Sequence, residues 1–213
     1  MIIAIDGPAG SGKTTVAKLL SKRLNISYLD TGATYRVLTL AALENNLNLK
    51  DEGALEDLAK KLDLKIEDEK VYLNSTDVSS KIRAPLIDKN ISVVVSHERV
   101  RVQMVGLQRR IAQGSDFVVE GRDITTVVFP NAQKKFYLDA AFPIRVKRRF
   151  RELKERGLAV NFDELKEDLK RRDDADKNRE VGPLRISKDA IYIDTTALTL
   201  EGVIEAILRH IKK

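Results

Sequence analysis

Residues 2–14, IIAIDGPAGSGKT, decide the fold of this chain. Residues 2–6 are a short apolar run with β-branched side chains, which is typical of a buried strand. Residues 7–14 match the pattern G-x-x-x-x-G-K-[ST], and Val16 and Leu20 then continue at helical spacing. The pattern requires this order of strand, glycine-rich loop and helix. The stretch therefore predicts a phosphate-binding loop, or P-loop, at residues 7–14, which we call the phosphate loop.

Each residue type in the phosphate loop has a separate task. The glycines let the backbone wrap a phosphate, and the helix N-terminus adds partial positive charge. Lys13 supplies a mobile charge for the β- and γ-phosphates, and the Thr14 hydroxyl is placed to bind Mg²⁺. A magnesium nucleoside triphosphate is therefore the predicted donor. The predicted ATP-binding residues are Gly7, Pro8, Ala9, Gly10, Ser11, Gly12, Lys13, Thr14 and Thr15.

Further short apolar runs occur at residues 27–30, 117–120, 135–139 and 191–194, between longer segments of helical period. This alternation predicts an α/β fold with a parallel sheet, in which ligands gather at the carboxyl ends of the strands. Residues 64–67 and 71–74 alternate around a polar turn at 68–70, which predicts a small separate hairpin.

Helical spacing also predicts amphipathic helices behind Asp51 and behind Thr199. A longer helical region is predicted from Pro85 to Ile111, with a break near Ser96 and His97.

Composition limits the chemistry. The chain has 213 residues, no Cys and two His, which excludes a disulfide scaffold, a thiolate nucleophile and a cysteine or multi-histidine metal site. No apolar run is long enough to span a membrane, and the N-terminus lacks a signal peptide pattern, so we expect a soluble cytoplasmic protein. The net charge of +6 suits a nucleic acid, an anionic small substrate or simple solubility. With 5% aromatic residues, nothing indicates a base-stacking platform.

Arginines crowd two predicted helices between residues 145 and 179. A mobile flap over an anionic site and a solvated helical hairpin both fit this pattern. Asp173, Asp174 and Asp176 fit either a metal cluster or a charge-laced helix end. The motifs D-x-x-G and N-K-x-D are absent, which argues against a GTPase.

Three more motifs follow the phosphate loop in order: residues 30–36 (DTGATYR), 120–130 (EGRDITTVVFP) and 172–179 (RDDADKNR). Together the four motifs resemble the bacterial-type cytidylate kinases, over nearly the whole chain. The resemblance implies the nucleoside monophosphate kinase fold. That fold is an α/β P-loop kinase core, a five-stranded parallel sheet flanked by helices, within a single domain at residues 1–213. A monophosphate-binding insert with the hairpin is expected at about 36–100 and an arginine-rich helical lid at about 145–183.

The resemblance also implies an activity. The enzyme would transfer the γ-phosphoryl group of Mg-ATP to CMP or dCMP, giving ADP with CDP or dCDP, as a monomer that needs neither nucleic acid nor a membrane. A kinase for UMP or AMP, or a nucleic-acid-stimulated P-loop ATPase, remains as an alternative.

Site residues are carried over motif by motif. The resemblance assigns the cytosine to Arg101, Ser92 and Asp123, the acceptor phosphate to Arg36, Arg122 and Arg179, and the sugar hydroxyls to Asp176 with Arg172. Read without the family, Arg101 is better interpreted as an exposed helix arginine. Thr31, where many relatives carry Ser, and Tyr35 are expected near the acceptor. The expected catalytic residues are Lys13, Arg122, Arg179, Arg145, Arg148 and Arg149.

Overall fold

The computed structural model of the protein describes residues 1–67 and 69–211, and strands and helices alternate along most of that chain. In chain order the elements are β1 (Ile2–Asp6), α1 (Lys13–Leu24), β2 (Ser27–Asp30), α2 (Thr31–Glu44), α3 (Glu52–Lys60), β3 (Leu64–Glu67), β4 (Lys70–Leu73), β5 (Thr76–Asp77), α4 (Pro85–Ser96), α5 (Glu98–Ile111), β6 (Phe117–Gly121), β7 (Lys134–Asp139), α6 (Phe142–Glu155), α7 (Phe162–Asn178), β8 (Ile191–Asp194) and α8 (Leu200–Ile211). The elements divide into two compact units, Met1–Ser27 with Asp116–Lys213, and Tyr28–Ser115.

The main sheet has five strands in the order β2-β6-β1-β7-β8. β1 pairs in parallel with β6 on one side and with β7 on the other, and β7 pairs in parallel with β8. Ile3, Ala4 and Ile5 of β1 are completely buried, as expected of a central parallel strand that is covered on both faces. The predicted α/β fold with a five-stranded parallel sheet is therefore confirmed, including the short strand at residues 27–30.

Local sequence features explain where α1 ends and where α8 begins. α1 ends at Leu24 because Asn25 adopts a left-handed conformation with φ 52°. α8 buries Val203, Ile204 and Ile207 on one face, as its helical spacing predicts. Thr199 Oγ1 accepts a hydrogen bond of 3.1 Å from the Gly202 N–H and caps that helix. Within residues 1–67 and 69–211, no helix combines the length and apolar character needed to cross a membrane.

The second unit joins four helices to a small antiparallel sheet in the order β3-β4-β5. Asp51 caps α3 by accepting a 3.0 Å hydrogen bond from the Ala54 N–H, as predicted. The predicted helical region from Pro85 is divided into α4 and α5 at His97, whose backbone is extended (φ −77°, ψ 123°).

The hairpin is confirmed, with Leu64 opposite Leu73, but its predicted turn is wrong at Lys70. Lys70 is the first residue of β4 and pairs with Glu67, so the strand begins one residue earlier than the apolar pattern indicates. Asp68 of the predicted turn lies outside the described residues. β5 was not predicted because two residues are too few to show alternation.

Candidate active site

The phosphate loop has a backbone path that requires glycine. A Cβ at Gly7 would lie 2.0 Å from the Leu138 carbonyl oxygen, and one at Gly10 would lie 2.8 Å from the Arg145 carbonyl oxygen. Gly10 also has φ +75°, a conformation that other residues rarely adopt. In the described part of the chain, no side chain caps the N-terminus of α1. An anionic group is therefore a suitable partner for the N–H groups of its first turn.

Lys13 is the buried charge of the phosphate loop. Its side chain is held against the loop itself, where Nζ donates to the Pro8 carbonyl oxygen at 2.8 Å and contacts Ser11 Oγ at 3.5 Å. Burial, and then repulsion from Arg122, lowers the pKa of Lys13 to about 7. Attraction to Glu120, Asp176 and Asp6 only partly opposes this shift. A polyphosphate beside Lys13 would therefore favour its charged form.

Thr14 and Thr15 follow Lys13 in the first turn of α1. Thr14 is half-buried, whereas Thr15 is exposed. The role of the Thr14 hydroxyl in binding Mg²⁺ stays a prediction.

Four residues of the first unit form what we call the arginine–aspartate cluster: Arg122, Asp123, Asp176 and Arg179. Arg122 Nε donates to Asp176 Oδ2 at 2.7 Å, and Arg179 contacts Asp123 Oδ1 at 3.2 Å and Asp176 Oδ1 at 3.8 Å. Burial disfavours the charge of Asp176, but Arg122, Arg179 and Arg172 together lower the pKa of its carboxyl. Both expected phosphate-binding arginines of this unit are thus paired with carboxylates.

Arg145 of α6 is buried and contacts the phosphate loop. Its guanidinium forms an ion pair with Asp173 of α7 and donates to the Ala9 and Ala140 carbonyl oxygens, each at 3.0 Å. Asp173 in turn accepts a 3.3 Å hydrogen bond from the Ala9 N–H. Both side chains are over nine-tenths buried, so this ion pair is part of the packed support of the loop.

Arg148 and Arg149 differ from each other in their contacts. Arg148 donates to the Thr195 carbonyl oxygen at 2.7 Å and to Thr195 Oγ1 at 2.9 Å. Thr195 Oγ1 also lies 3.3 Å from the Ser11 carbonyl oxygen, which connects the segment after β8 to the phosphate loop. Arg149 pairs with Glu152 one helical turn away on α6. In residues 1–67 and 69–211, no three or more His, Cys, Asp or Glu side chains are grouped as metal ligands. Asp173 pairs with Arg145 and Asp176 with Arg122, which fits the interpretation as a charge-laced helix end.

In the second unit the structure brings Tyr35 of α2 and Arg101 of α5 together. The Arg101 guanidinium carbon lies 5.6 Å from the centre of the Tyr35 ring, within the range of a cation–π contact. Arg101 is 2% exposed, so the interpretation as an exposed helix arginine is wrong. A buried arginine against an aromatic ring is a residue that can recognise a polar ligand.

Arg36, Thr31 and Ser92 have different environments in the same unit. Arg36 forms an ion pair with Asp88 at 2.5 Å and donates to the Ile82 carbonyl oxygen at 3.0 Å. Thr31 is buried in the first turn of α2, where its carbonyl oxygen accepts a 2.7 Å hydrogen bond from the Thr34 hydroxyl. Ser92 is exposed on α4.

Sequence reasoning did not single out three residues that support this site: Asp6, Asp173 as a partner of Arg145, and Thr195. Asp6 ends a buried strand in a carboxylate and is completely buried, so a strand-end carboxylate next to a phosphate-loop motif was an available signal. The partners of Asp173 and Thr195 lie far away in sequence, and a single sequence carries no signal for such pairs.

Comparisons with known proteins show the family of the chain. The family model for cytidylate kinase matches residues 3–213. The chain is 48% identical over 211 residues to a cytidylate kinase from Caldanaerobacter subterraneus subsp. tengcongensis, covering 99% of this chain and 94% of the relative. It is 47% identical over 213 residues to one from Fusobacterium nucleatum subsp. nucleatum, covering 100% and 98%. An uncharacterized protein from Eubacterium ventriosum, solved by crystallography, has a similar fold, with a TM-score of 0.52, 16% identity and 100% and 99% coverage.

Proposed function

Because the chain belongs to the cytidylate kinase family, we propose that it transfers the γ-phosphoryl group of ATP to CMP and dCMP. The products are ADP with CDP or dCDP. The observation that carries this proposal is that one compact unit holds both a phosphate loop with a buried Lys13 and a cluster of arginines paired with aspartates. Neither a kinase for UMP or AMP nor a nucleic-acid-stimulated ATPase is favoured by the family match.

The reaction needs no general base. A phosphate oxygen of the acceptor is already anionic and attacks the γ-phosphorus, while the bond from that phosphorus to the β–γ bridging oxygen breaks and leaves ADP. Catalysis then consists of positioning two anions and compensating their charge. Positively charged groups held by the protein are what this chemistry requires.

The residues of the first unit divide these tasks. The phosphate loop binds the donor through its N–H groups, and Lys13 compensates the charge of its terminal phosphates. Arg122 and Arg179 bind the acceptor phosphate in exchange for, or together with, their present aspartate partners. Arg145 and Arg148 hold the loop in place through Ala9 and Thr195, and Arg149 is the remaining candidate for direct contact with the transferred group.

Magnesium fits the oxygen donors available. The half-buried Thr14 hydroxyl at the start of α1 would contribute one protein oxygen, and the nucleotide phosphates would contribute most of the others. Magnesium usually binds few protein ligands together with nucleotide phosphates, so it does not require an acidic cluster. The residues that the structure describes contain no such cluster. When bound, magnesium would compensate charge on the phosphates.

Base recognition is proposed to follow the family pattern. Cytosine offers an amino donor at N4, which suits the Asp123 carboxylate, and acceptors at N3 and O2, which suit Arg101. Uracil offers an acceptor in place of the amino group, so a carboxylate disfavours it. We assign Ser92 to the base, Thr31, Tyr35 and Arg36 to the acceptor nucleotide, and Asp176 with Arg172 to the sugar hydroxyls.

We also propose the organisation that the family resemblance implies. Residues 36–100 would be the monophosphate-binding insert and residues 145–183 the lid, within a monomer that acts in the cytoplasm on free nucleotides. Light scattering of the purified protein tests the monomer.

A coupled assay of ADP release tests the function directly. Mg-ATP is combined with CMP, dCMP, UMP, AMP, GMP, shikimate or single-stranded DNA, and each rate is compared with the rate without acceptor. We expect strong stimulation by CMP and dCMP, weak stimulation by UMP and little hydrolysis without acceptor. Stimulation by DNA alone, or by no monophosphate, would contradict the proposal.

The acceptor side is tested by Arg122→Lys, which keeps the charge but removes the planar fork that can bind two phosphate oxygens. We expect kcat/KM for CMP to fall by about 10²-fold, because the acceptor phosphate loses its alignment. Arg209→Lys, at an exposed position on α8, is the control and should leave the rate unchanged.

A further inference from the structure

Asp6, the last residue of β1, has a role that the proposed mechanism does not use. Its side chain is 0% exposed, so its carboxylate must find all its partners inside the protein. Oδ1 accepts a hydrogen bond from the Ile124 N–H at 2.8 Å. Oδ2 accepts two from Thr125, at 2.8 Å from the N–H and at 2.6 Å from the hydroxyl.

These three bonds hold one end of an unusually wide helical turn at Ile124–Val128. The Val128 N–H bonds to the Asp123 carbonyl oxygen at 3.1 Å, and the Phe129 N–H bonds to the Ile124 carbonyl oxygen at 2.7 Å. Such five-residue steps are rare and often mark functional sites. The first N–H groups of a helical turn have no acceptor within the turn. Asp6 accepts hydrogen bonds from two of them, those of Ile124 and Thr125.

The turn begins directly after two residues assigned to the acceptor nucleotide, Arg122 and Asp123. Asp123 has φ −141° and ψ 28°, so its backbone is the point where the chain leaves the strand direction of β6 for the turn. Holding the next two N–H groups holds this bend, and with it the backbone from which both side chains project.

Asp6 also stands beside the phosphate loop. It lies opposite Gly121 in the pairing of β1 with β6 and immediately precedes Gly7. One carboxylate therefore ties the start of the donor-binding loop to the turn that carries the acceptor-binding residues. Burial raises the pKa of Asp6, and its bonds from Thr125 and Ile124 oppose that shift by favouring the ionised form.

We propose that Asp6 is a positioning residue for the acceptor nucleotide, which holds Arg122 and Asp123 in the orientation that binds the phosphate and selects the base. This inference rests on the proposed function. It assigns Asp6 no contact with either substrate, and the effect of Asp6 passes through the turn at residues 124–128.

The main test is Asp6→Asn, which keeps the size of the side chain but replaces one acceptor oxygen with an N–H donor. We expect kcat/KM for CMP to fall by about 10²-fold, as for a small displacement of a positioned group. The ratio of kcat/KM for CMP to that for UMP should fall by about tenfold or more, because base selection depends on the placement of Asp123. A fraction of unfolded protein, or damage to the ATP site, lowers both rates equally and leaves this ratio unchanged. Glu205→Gln, the same carboxylate-to-amide change at an exposed position on α8, is the control.

A second pair of variants covers the case in which Asp6→Asn does not fold. Thr125→Val removes one of the three bonds to Asp6, whereas Thr125→Ser keeps the hydroxyl. We expect Thr125→Val to shift the CMP to UMP ratio in the same direction as Asp6→Asn, and Thr125→Ser to restore it. Equal ratios in Thr125→Val and in the unaltered protein would overturn the inference.

Amide hydrogen exchange separates this inference from the proposed function. Without nucleotide, Ile124 and Thr125 should exchange faster in Asp6→Asn and Thr125→Val than in the unaltered protein. If the unaltered protein does not phosphorylate CMP, the proposed function fails, and the exchange rates still decide whether Asp6 holds the turn. Unchanged exchange at both amides would overturn the inference whatever the activity.

Discussion

The phosphate loop and the arginine–aspartate cluster are both proposed to bind phosphates, but the structure holds them in different ways. In the loop, the path of the backbone is set by glycines at positions such as Gly7 and Gly10, where a Cβ would meet a carbonyl oxygen. In the cluster, Arg122 and Arg179 are held by the carboxylates of Asp176 and Asp123. The loop is built from backbone geometry and the cluster from ion pairs.

This difference has a consequence for substrate binding. The glycine-dependent backbone path sets the positions of the loop N–H groups, so we expect a phosphate to bind there to a site that is already organised. The two arginines of the cluster are already paired with aspartates, so on the proposed mechanism an acceptor phosphate would either replace these carboxylates or bind beside them. The donor side should therefore respond to changes in backbone shape, and the acceptor side to changes in charge.

Removal of the loop's one buried charge should have the largest effect. We expect Lys13→Ala to lower kcat by about 10³-fold or more, because the donor phosphates lose a compensating charge in a site of low dielectric constant. Circular dichroism should show an intact fold. Lys22→Ala, at an exposed position on the same helix, is the matched control. Near-normal turnover in Lys13→Ala would contradict the need for this charge, because the loop would then act through its backbone N–H groups alone.

The second-largest effect is expected from breaking the buried ion pair between α6 and α7. Asp173→Asn leaves the Arg145 charge without its buried carboxylate, which should lower the free energy of unfolding by about 3 kcal/mol. Urea denaturation measures this change. Asp168→Asn removes the same charge from an exposed pair with Arg171 on the same helix and should change stability little. Equal effects of the two substitutions would show that burial of the pair does not matter.

A pair of glycine substitutions tests whether backbone geometry controls the function of the phosphate loop. Gly10 and Gly114 have similar positive φ values, 75° and 80°, but a Cβ at Gly114 would meet nothing within 4 Å. Both Gly→Ala substitutions should cost about 1–2 kcal/mol of backbone strain. Only Gly10→Ala should also lower kcat/KM for ATP, by about 10²-fold, because its Cβ displaces the loop from Arg145. Equal kinetic effects would mean that strain, and not the contact, controls the loop.

The smallest expected effect is on the number of protons that the protein takes up when ATP binds. Because the pKa of Lys13 is lowered to about 7, Lys13 is mostly neutral near pH 8 without ligand. ATP favours the charged form, so binding at about pH 8 should take up a large fraction of one proton, and at about pH 6 much less. Calorimetry in two buffers of different ionisation enthalpy measures the uptake. An equal and small uptake at both pH values would contradict the lowered pKa.

The same shift affects stability with a definite sign. Between pH 7 and the ordinary pKa of lysine, the unfolded chain binds more protons at Lys13 than the folded protein. The contribution of Lys13 to the free energy of unfolding therefore becomes more favourable as pH rises through that window, and its cost is largest below pH 7.

Local patterns were enough to predict much of this molecule. The phosphate loop, the strands of the parallel sheet and the cap of α3 by Asp51 all follow from short stretches whose residues interact with neighbours in sequence. The start of β4 at Lys70 was missed because a charged residue at an exposed strand position looks like part of a turn.

Pairs that are distant in sequence could not be predicted. Arg145 was expected as a lid arginine from its charge, and nothing local indicated that Asp173 and the Ala9 carbonyl oxygen bury it. The burial of Arg101 against Tyr35 was hidden in the same way, since a polar helix face and a buried arginine look alike in one sequence.

The pairing of β1 has a consequence for how the chain folds during synthesis. β1 is synthesised first, yet its neighbours in the sheet come much later: Ile2 pairs with Phe117, and Ile3 with Lys134. Until those strands leave the ribosome, an apolar strand has no partner for its ladder, and pairings this distant form slowly. Thr195, which contacts Ser11, is synthesised later still. The nascent chain thus carries its phosphate-loop motif before the strands that hold it in the sheet are available, and β1 stays an unpaired apolar segment throughout that interval.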